Sequence, residues 1–265
     1  MMSMNSLKIR ENKGRKPISM VTCYDFSMAR ILAETSVDCL LVGDSAAMVM
    51  HGYSDTIHAT MSIMALHTKA VAKGAPDKFL IADMPFLSYR KELSDTMDNV
   101  DVLMKAGAHA VKLEGAEGNL ETIRTLVQSG VPVMGHLGLT PQSVHVLGGY
   151  KVQGRTEQGR QALMKHAAEL EQSGCFAIVL ECIPSALAGE ITRGVSIPTI
   201  GIGSGPDTDG QVLVLQDLLG MQKGLKLKFV KTYVDGHSVI KDAVEQYCQE
   251  VVGRAFPVPN DHTFQ

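Results

Sequence analysis

The chain has 265 residues, 45% of them hydrophobic and 20% charged, which allows one large α/β domain with a sizeable core or two small ones. A net charge of −3 with no strongly basic run gives nucleic-acid binding no electrostatic support. Five scattered cysteines without a CxxC pair favour a reduced compartment over a disulfide scaffold or thiolate zinc site, and no apolar run is long enough to span a bilayer, so the reading is a soluble, cytoplasmic protein with no membrane partner.

Residues 1–17 read as an N-terminal extension. Its basic segment "LKIRENKGRKP" is taken as a solvated helix, with an organellar transit sequence as the alternative. Two strands follow, "ISMVTCYD" and "CLLVGDS", then a helix "SIMALHTKAVAKG" and a strand "FLIADMPF". The next helix, Ser94 to Gly107, puts Met97, Val100, Leu103 and Met104 on one face, with Ser94 as cap and Gly107 as stop. Alternation continues with strand "AVKLEG", helix "NLETIRTLVQSG" and strand "PVMGHLG". From His136 to about Gly159 runs a Gly-, Pro- and Gln-rich connection, too long for an ordinary joint and placed where a lid would be. Helix "QALMKHAAELEQSG", strand "AIVLEC", helix "IPSALAGEITRG" and strands "PTIGIGSG" and "QVLVLQD" complete the pattern.

Eight apolar strands alternating with helices predict a single (β/α)8 TIM barrel over 1–265, with about 221–265 forming an extra C-terminal helix and arm. That arm either packs on a neighbouring subunit or frays. A doubly wound sheet is the competing architecture, disfavoured because no Gly-rich dinucleotide turn follows the first strand.

A barrel places its active site at the C-terminal strand ends, where this chain has Asp25, Asp44-Ser45, Asp83, Lys112 with Glu114, His136, Glu181 and the glycines of "GIGSG". Asp44, Asp83 and Glu114 are hard oxygen donors of the kind that hold Mg2+, which takes one or two carboxylates and fills its octahedron with water and substrate. The competing reading makes each Asp a helix cap. Lys112, two residues before Glu114, shares its face of the strand and suits a substrate carboxylate, a Schiff base or an internal ion pair. Glu181, closing the apolar "AIVLE", suits a general base, with an ion pair to a neighbouring base as the alternative. His136 either hydrogen-bonds a substrate oxygen or is a packed structural histidine. His51, His58 and His67 read as surface or loop residues, and "GIGSG" is weak evidence for phosphate.

The stretches "LLVGDS", "GAPDKFLIADMPF", "AGAHAVKLEG", "PVMGHLGLTPQSVHVLGGYKVQGR", "IVLECIP" and "IPTIGIGSG" resemble the ketopantoate hydroxymethyltransferase family over nearly the whole chain from about Ile18. The resemblance implies a metal-dependent barrel that transfers a one-carbon unit from 5,10-methylenetetrahydrofolate to 3-methyl-2-oxobutanoate, giving 2-dehydropantoate. It implies Asp44 and Asp83 as Mg2+ ligands, with Glu114 ligating directly or through water. Asp44, Ser45, Asp83, Lys112 and His136 are the expected substrate contacts, and Glu181 the proton acceptor. It further implies a large homo-oligomer, often a decamer. This chain departs from the family pattern at Ala46-Ala47 after "GDS", where Leu-Gly is common, in "SDTIHAT" (Ser54 to Thr60), where Leu-Pro-Val-Thr is usual at the end, and at Ser204, where Ala is common. No aromatic platform for the pterin stands out, although the long connection supplies candidates. Competing functions are a Schiff-base aldolase using Lys112, a lyase or mutase of small keto acids, and a non-catalytic barrel.

Overall fold

The computed structural model describes residues 4–224, 227–259 and 261–264. Eight strands, β1 (Ile18–Thr22), β2 (Cys39–Val42), β3 (Phe79–Asp83), β4 (Ala110–Glu114), β5 (Val133–Gly138), β6 (Ala177–Glu181), β7 (Thr199–Ile202) and β8 (Gly210–Leu213), pair in parallel in chain order. β8 pairs with β1 and closes the barrel, as the alternating pattern predicts. The helices are α1 (Ser6–Glu11), α2 (Phe26–Ala33), α3 (Ala46–Val49), α4 (Met61–Gly74), α5 (Leu93–Lys105), α6 (Leu120–Gln128), α7 (Val144–Leu147), α8 (Glu157–Gln172), α9 (Ser185–Gly194), α10 (Leu215–Leu218) and α11 (Gly236–Val252). The chain forms two compact units, residues 1–214 and 215–265; the first holds the whole barrel and the second holds α10 and α11.

Side chains alternate along a strand, so every second residue enters the barrel. In the lower layers those residues are apolar: Ile18 and Met20, Cys39 and Leu41, Phe79 and Ile81, Ala110, Met134, Ala177 and Val179, Ile200 and Val212 form one buried cluster. Ile9 of α1 joins them from below. One step further along the same inward rows come Asp83, Lys112, Glu114, His136 and Glu181. The rule that fills the core with hydrophobes therefore also stacks the polar groups at the barrel's mouth.

Strand register then fixes which of them are neighbours. Asp83 lies opposite Lys112, Glu114 opposite His136, and Gly138 opposite Glu181. Gly138 adopts φ +95°, and a Cβ there would stand 2.1 Å from the Glu181 carbonyl, so only glycine permits this approach. The Leu139 N–H donates to that same carbonyl at 2.8 Å, tying the end of β5 to the base of Glu181.

Two local expectations need correction. Ser94 does not cap its helix: α5 begins at Leu93, after Glu92 in extended conformation and with no side-chain cap bond, so Ser94 already lies inside the first turn. The long connection is also shorter than its sequence suggests, since His136–Gly138 belong to β5 and Thr156 caps α8. Its interior is partly regular, with a 3-10 turn at Pro141–Ser143 followed by α7.

Candidate active site

Helix capping accounts for one strand-end aspartate and fails for the other two. Asp25 caps α2 by accepting from Met28 N at 2.9 Å. Asp83 Oδ2 instead accepts from the Asp44 backbone N–H at 3.0 Å, and Asp44 Oδ2 accepts from the Gln142 side chain at 2.8 Å. Ser45 caps nothing, and its Oγ lies 2.8 Å from the buried Tyr24 hydroxyl.

The barrel brings Asp44, Asp83, Lys112, Glu114, His136 and Glu181 into one connected cluster. Lys112 Nζ lies 3.0 Å from Asp83 Oδ1 and 3.3 Å from His136 Nδ1. His136 Nδ1 is 3.3 Å from Glu114 Oε1, while its Nε2 is 3.1 Å from Glu181 Oε2. The first five side chains are buried, and Glu181 keeps 17% of its side chain exposed, so it faces the mouth. Asp83 Oδ1, Glu114 Oε1 and His136 Nε2 are buried without a well-aligned hydrogen bond, and they meet their partners only as ion pairs.

Burial, reinforced by the charges of Glu114 and Asp83, holds the Asp44 carboxyl well above its ordinary pKa. Burial also raises Asp83, although the Lys112 ammonium opposes it. At Glu114 burial pushes upward as well, but contact with His136 and the charge of Lys112 prevail and hold it below the ordinary range. Lys112 stays firmly protonated: burial works against its charge, and Asp83, Glu114 and Asp44 outweigh that. His136 is lowered by burial and by Lys112 but carried up to about 9 by Glu114 and Glu181.

Four carboxylates thus share one lysine and one histidine, a local excess of negative charge. The donor set fits a hard divalent cation, because Asp44 and Asp83 offer oxygens from adjacent strands and Asp83 Oδ1 and Glu114 Oε1 lack hydrogen-bond partners. Among the described residues no three His, Cys, Asp or Glu side chains form a ready-made metal cage. Mg2+ held by one or two carboxylates, with water and substrate completing its shell, needs none.

Two site residues escape sequence reasoning. Gln142, from the 3-10 turn after β5, is buried among the carboxylates. Its carboxamide donates to Asp44 Oδ2 and the Met84 carbonyl (2.8 and 2.9 Å), and its backbone N–H donates to Glu114 Oε2 at 3.0 Å. Tyr89 completes the brace by donating its hydroxyl to Gln142 Oε1 at 2.7 Å. The only signal for Gln142 was its place in a long connection after a polar strand end. His67 also corrects the sequence reading, being buried on α4 with Nε2 2.8 Å from His51 Nε2 and Nδ1 2.5 Å from the Tyr24 carbonyl.

The departures from the family pattern spare this cluster. Ala46 and Ala47 are fully buried at the start of α3. His58 lies at an exposed turn, 2.9 Å from Asp55 Oδ1 and stacked on Tyr53.

The family model for ketopantoate hydroxymethyltransferase matches residues 2–259. The 3-methyl-2-oxobutanoate hydroxymethyltransferase of Bdellovibrio bacteriovorus is 61% identical over 252 residues, covering 95% of this chain and 96% of that protein. The Coxiella burnetii protein of the same name is 54% identical over 256 residues, 96% of each chain. Among solved structures, 2,3-dimethylmalate lyase of the PEP mutase/isocitrate lyase superfamily superposes with a TM-score of 0.64 at 14% identity, covering 99% of this chain and 93% of that one. Phosphonopyruvate hydrolase in complex with oxalate and Mg2+ gives 0.63 at 11% identity, covering 99% and 92%. At such identities these two structures establish the shared barrel alone. With a family model spanning the entire barrel and relatives more than half identical along nearly their full length, the chain belongs to the ketopantoate hydroxymethyltransferase family and is a transferase enzyme.

Proposed function

We propose that the enzyme transfers a hydroxymethyl group from 5,10-methylenetetrahydrofolate to 3-methyl-2-oxobutanoate, giving 2-dehydropantoate and tetrahydrofolate, with Mg2+ held by Asp44 and Asp83 and assisted by Glu114. The observation that carries this reading is a carboxylate base, Glu181, held at the open end of a buried and otherwise over-acidic cluster. Its relatives' names supply the substrate.

Lys112 is the fixed cation for the keto acid's carboxylate, kept charged by Asp83, while Ser45, oriented by Tyr24, offers a hydroxyl from the neighbouring strand end. Mg2+, when bound, draws electron density from the keto group and so eases loss of the C3 proton. Glu181 takes that proton. Its Oε2 is steadied by His136 Nε2, which holds the carboxylate in place at the mouth. C3 then bonds to the methylene carbon as its bond to folate N10 breaks, water displaces folate N5 to leave the hydroxymethyl group, and the proton held by Glu181 and the second proton of the water pass to the two freed nitrogens of tetrahydrofolate. The connection that inserts Gln142 covers the buried side of this chemistry and ties its own position to Asp44 and Glu114.

Proton exchange isolates the first step. In heavy water with Mg2+ and no folate, the wild type is expected to wash deuterium into C3 of 3-methyl-2-oxobutanoate, read by NMR. Glu181→Gln should slow this by about 10²–10⁴-fold, the usual worth of a general base. Undiminished exchange in that variant would remove Glu181 from the role.

A further inference from the structure

We propose that the rim above the carboxylates seats the one-carbon carrier, with Tyr150 and the Tyr53–His58 pair receiving its flat aromatic part and Lys151 and Arg155 its carboxylate tail. This inference rests on the folate-dependent reaction proposed above. It adds the residues that recognise the carrier.

The rim is made by the connections after β2 and β5, which pack against each other through their short 3-10 turns. On the first, Tyr53 is 44% exposed and stacks on His58 with ring centroids 4.5 Å apart and planes 5° from parallel. Asp55 fixes the pair, since its Oδ1 is 2.9 Å from His58 Nδ1 and also accepts from Ile57 N. On the second, Tyr150 is 51% exposed, and its hydroxyl reaches Met48 Sδ of α3 at 3.9 Å. Met48 lies four residues after Asp44, so this contact sets the ring beside the acidic mouth, and partial burial with the charges of Asp55, Asp44, Glu181 and Glu114 pushes its phenol up.

A small keto acid that engages buried Lys112 leaves these aromatic faces uncovered. A flat heteroaromatic ring laid on them would be offset-stacked, the arrangement ring quadrupoles favour. The charge pattern supplies the second constraint. The barrel mouth is over-acidic and repels an anionic tail, whereas Lys151 and Arg155 are exposed and make no ion pair among the described residues. An aromatic head with a carboxylate tail is therefore oriented head to the mouth and tail outward along the connection after β5.

Isothermal titration of the full-length protein with tetrahydrofolate, in MgCl2 and saturating 3-methyl-2-oxobutanoate, tests the assignment. Tyr150→Ala and Tyr53→Ala should each raise the tetrahydrofolate Kd about tenfold, while Tyr150→Phe stays within about twofold because the ring face is kept. The double variant Lys151→Glu/Arg155→Glu should raise the tetrahydrofolate Kd about tenfold and leave the Kd of 6-methyltetrahydropterin, which carries no carboxylate, unmoved. The keto-acid Kd should be the same in every variant. Wild-type tetrahydrofolate affinity in both alanine variants overturns the aromatic seat. Equal weakening of 6-methyltetrahydropterin in the charge-reversed variant overturns the assignment of the tail. A wild type that binds keto acid but no tetrahydrofolate overturns the folate-dependent reading itself, and the seat with it.

Discussion

The two ends of the barrel use the same side chains to opposite effect. At the N-terminal end, Asp38 accepts from Lys16 Nζ at 2.7 Å and from both the N–H and the hydroxyl of Ser19. Asp209 accepts from Lys13 Nζ at 2.8 Å, from Gly14 N and from Thr199 N. Each carboxylate there has its own lysine and its own amides. At the C-terminal end Asp44, Asp83, Glu114 and Glu181 share Lys112 and His136, and two carboxylate oxygens meet them only as ion pairs, without a hydrogen bond. The pKa shifts follow: despite burial, Lys16 and Ser19 hold Asp38 below the ordinary range, whereas burial and like charges lift Asp44 above it. One end holds the fold together with carboxylates, and the other keeps carboxylates the fold would be more stable without. On the function proposed above, such electrostatic strain in a concave mouth is what a bound cation and substrate would relieve.

Removing Lys112 should break the contrast most severely. Lys112→Met leaves the buried carboxylates without their lysine and is expected to cost about 3–5 kcal/mol in urea unfolding with EDTA present. A loss below about 1 kcal/mol would mean that the carboxylates are already neutral in the metal-free protein, and the upper end would no longer be over-acidic. Mg2+ should act next, and only at that end. At a hundredfold excess over its Kd it should stabilise the wild type by about 2.7 kcal/mol, read as a raised Tm. Asp83→Asn should abolish that gain. Asp209→Asn should retain it while costing about 1–3 kcal/mol on its own, because the donors of Gly14, Thr199 and Lys13 lose a charged acceptor. A Tm gain that survives Asp83→Asn places the ion elsewhere.

The sequence shows the upper end's cast but not its bracing. Period-two alternation and strand ends are local properties, so Asp44, Asp83, Lys112, Glu114, His136 and Glu181 could be listed together once a barrel was inferred. Gln142 and Tyr89 could not, since an uncharged residue in a connection reveals its role only when chain closure carries it across the mouth to Asp44. His67 was misjudged for a similar reason: its helical spacing showed no ligand pattern, and its partner, the Tyr24 carbonyl, is a backbone atom 43 residues away in the chain. Ser94 differs in the other direction, because cap propensity is a local preference and α5 begins one residue before it, at Leu93. Register is likewise visible only in the structure, since chain order makes β3 adjoin β4 and β4 adjoin β5 but does not by itself set Asp83 opposite Lys112 or Glu114 opposite His136.

The finest test compares one aspartate from each end through its pH dependence. Asp38 has a folded pKa below its unfolded value of about 3.9, so its contribution is complete above that value and is lost as the pH falls through the folded pKa. Asp38→Asn should therefore destabilise the protein by about 1 kcal/mol at pH 7, with the gap to wild type closing toward pH 3. Asp44 has the reverse sign. Its folded pKa is raised, so its favourable contribution is present below the unfolded value and erodes as the pH climbs toward the folded one. In EDTA, Asp44→Asn should be more stable than wild type by about 1 kcal/mol at pH 7, and the two should converge near pH 4. Saturating MgCl2 should invert the order at pH 7, since only the carboxylate gains from the ion. If Asp44→Asn instead loses stability in EDTA, with a gap that closes on acidification as at Asp38, then Asp44 is satisfied by Gln142 alone and the mouth is an ordinary buried polar network.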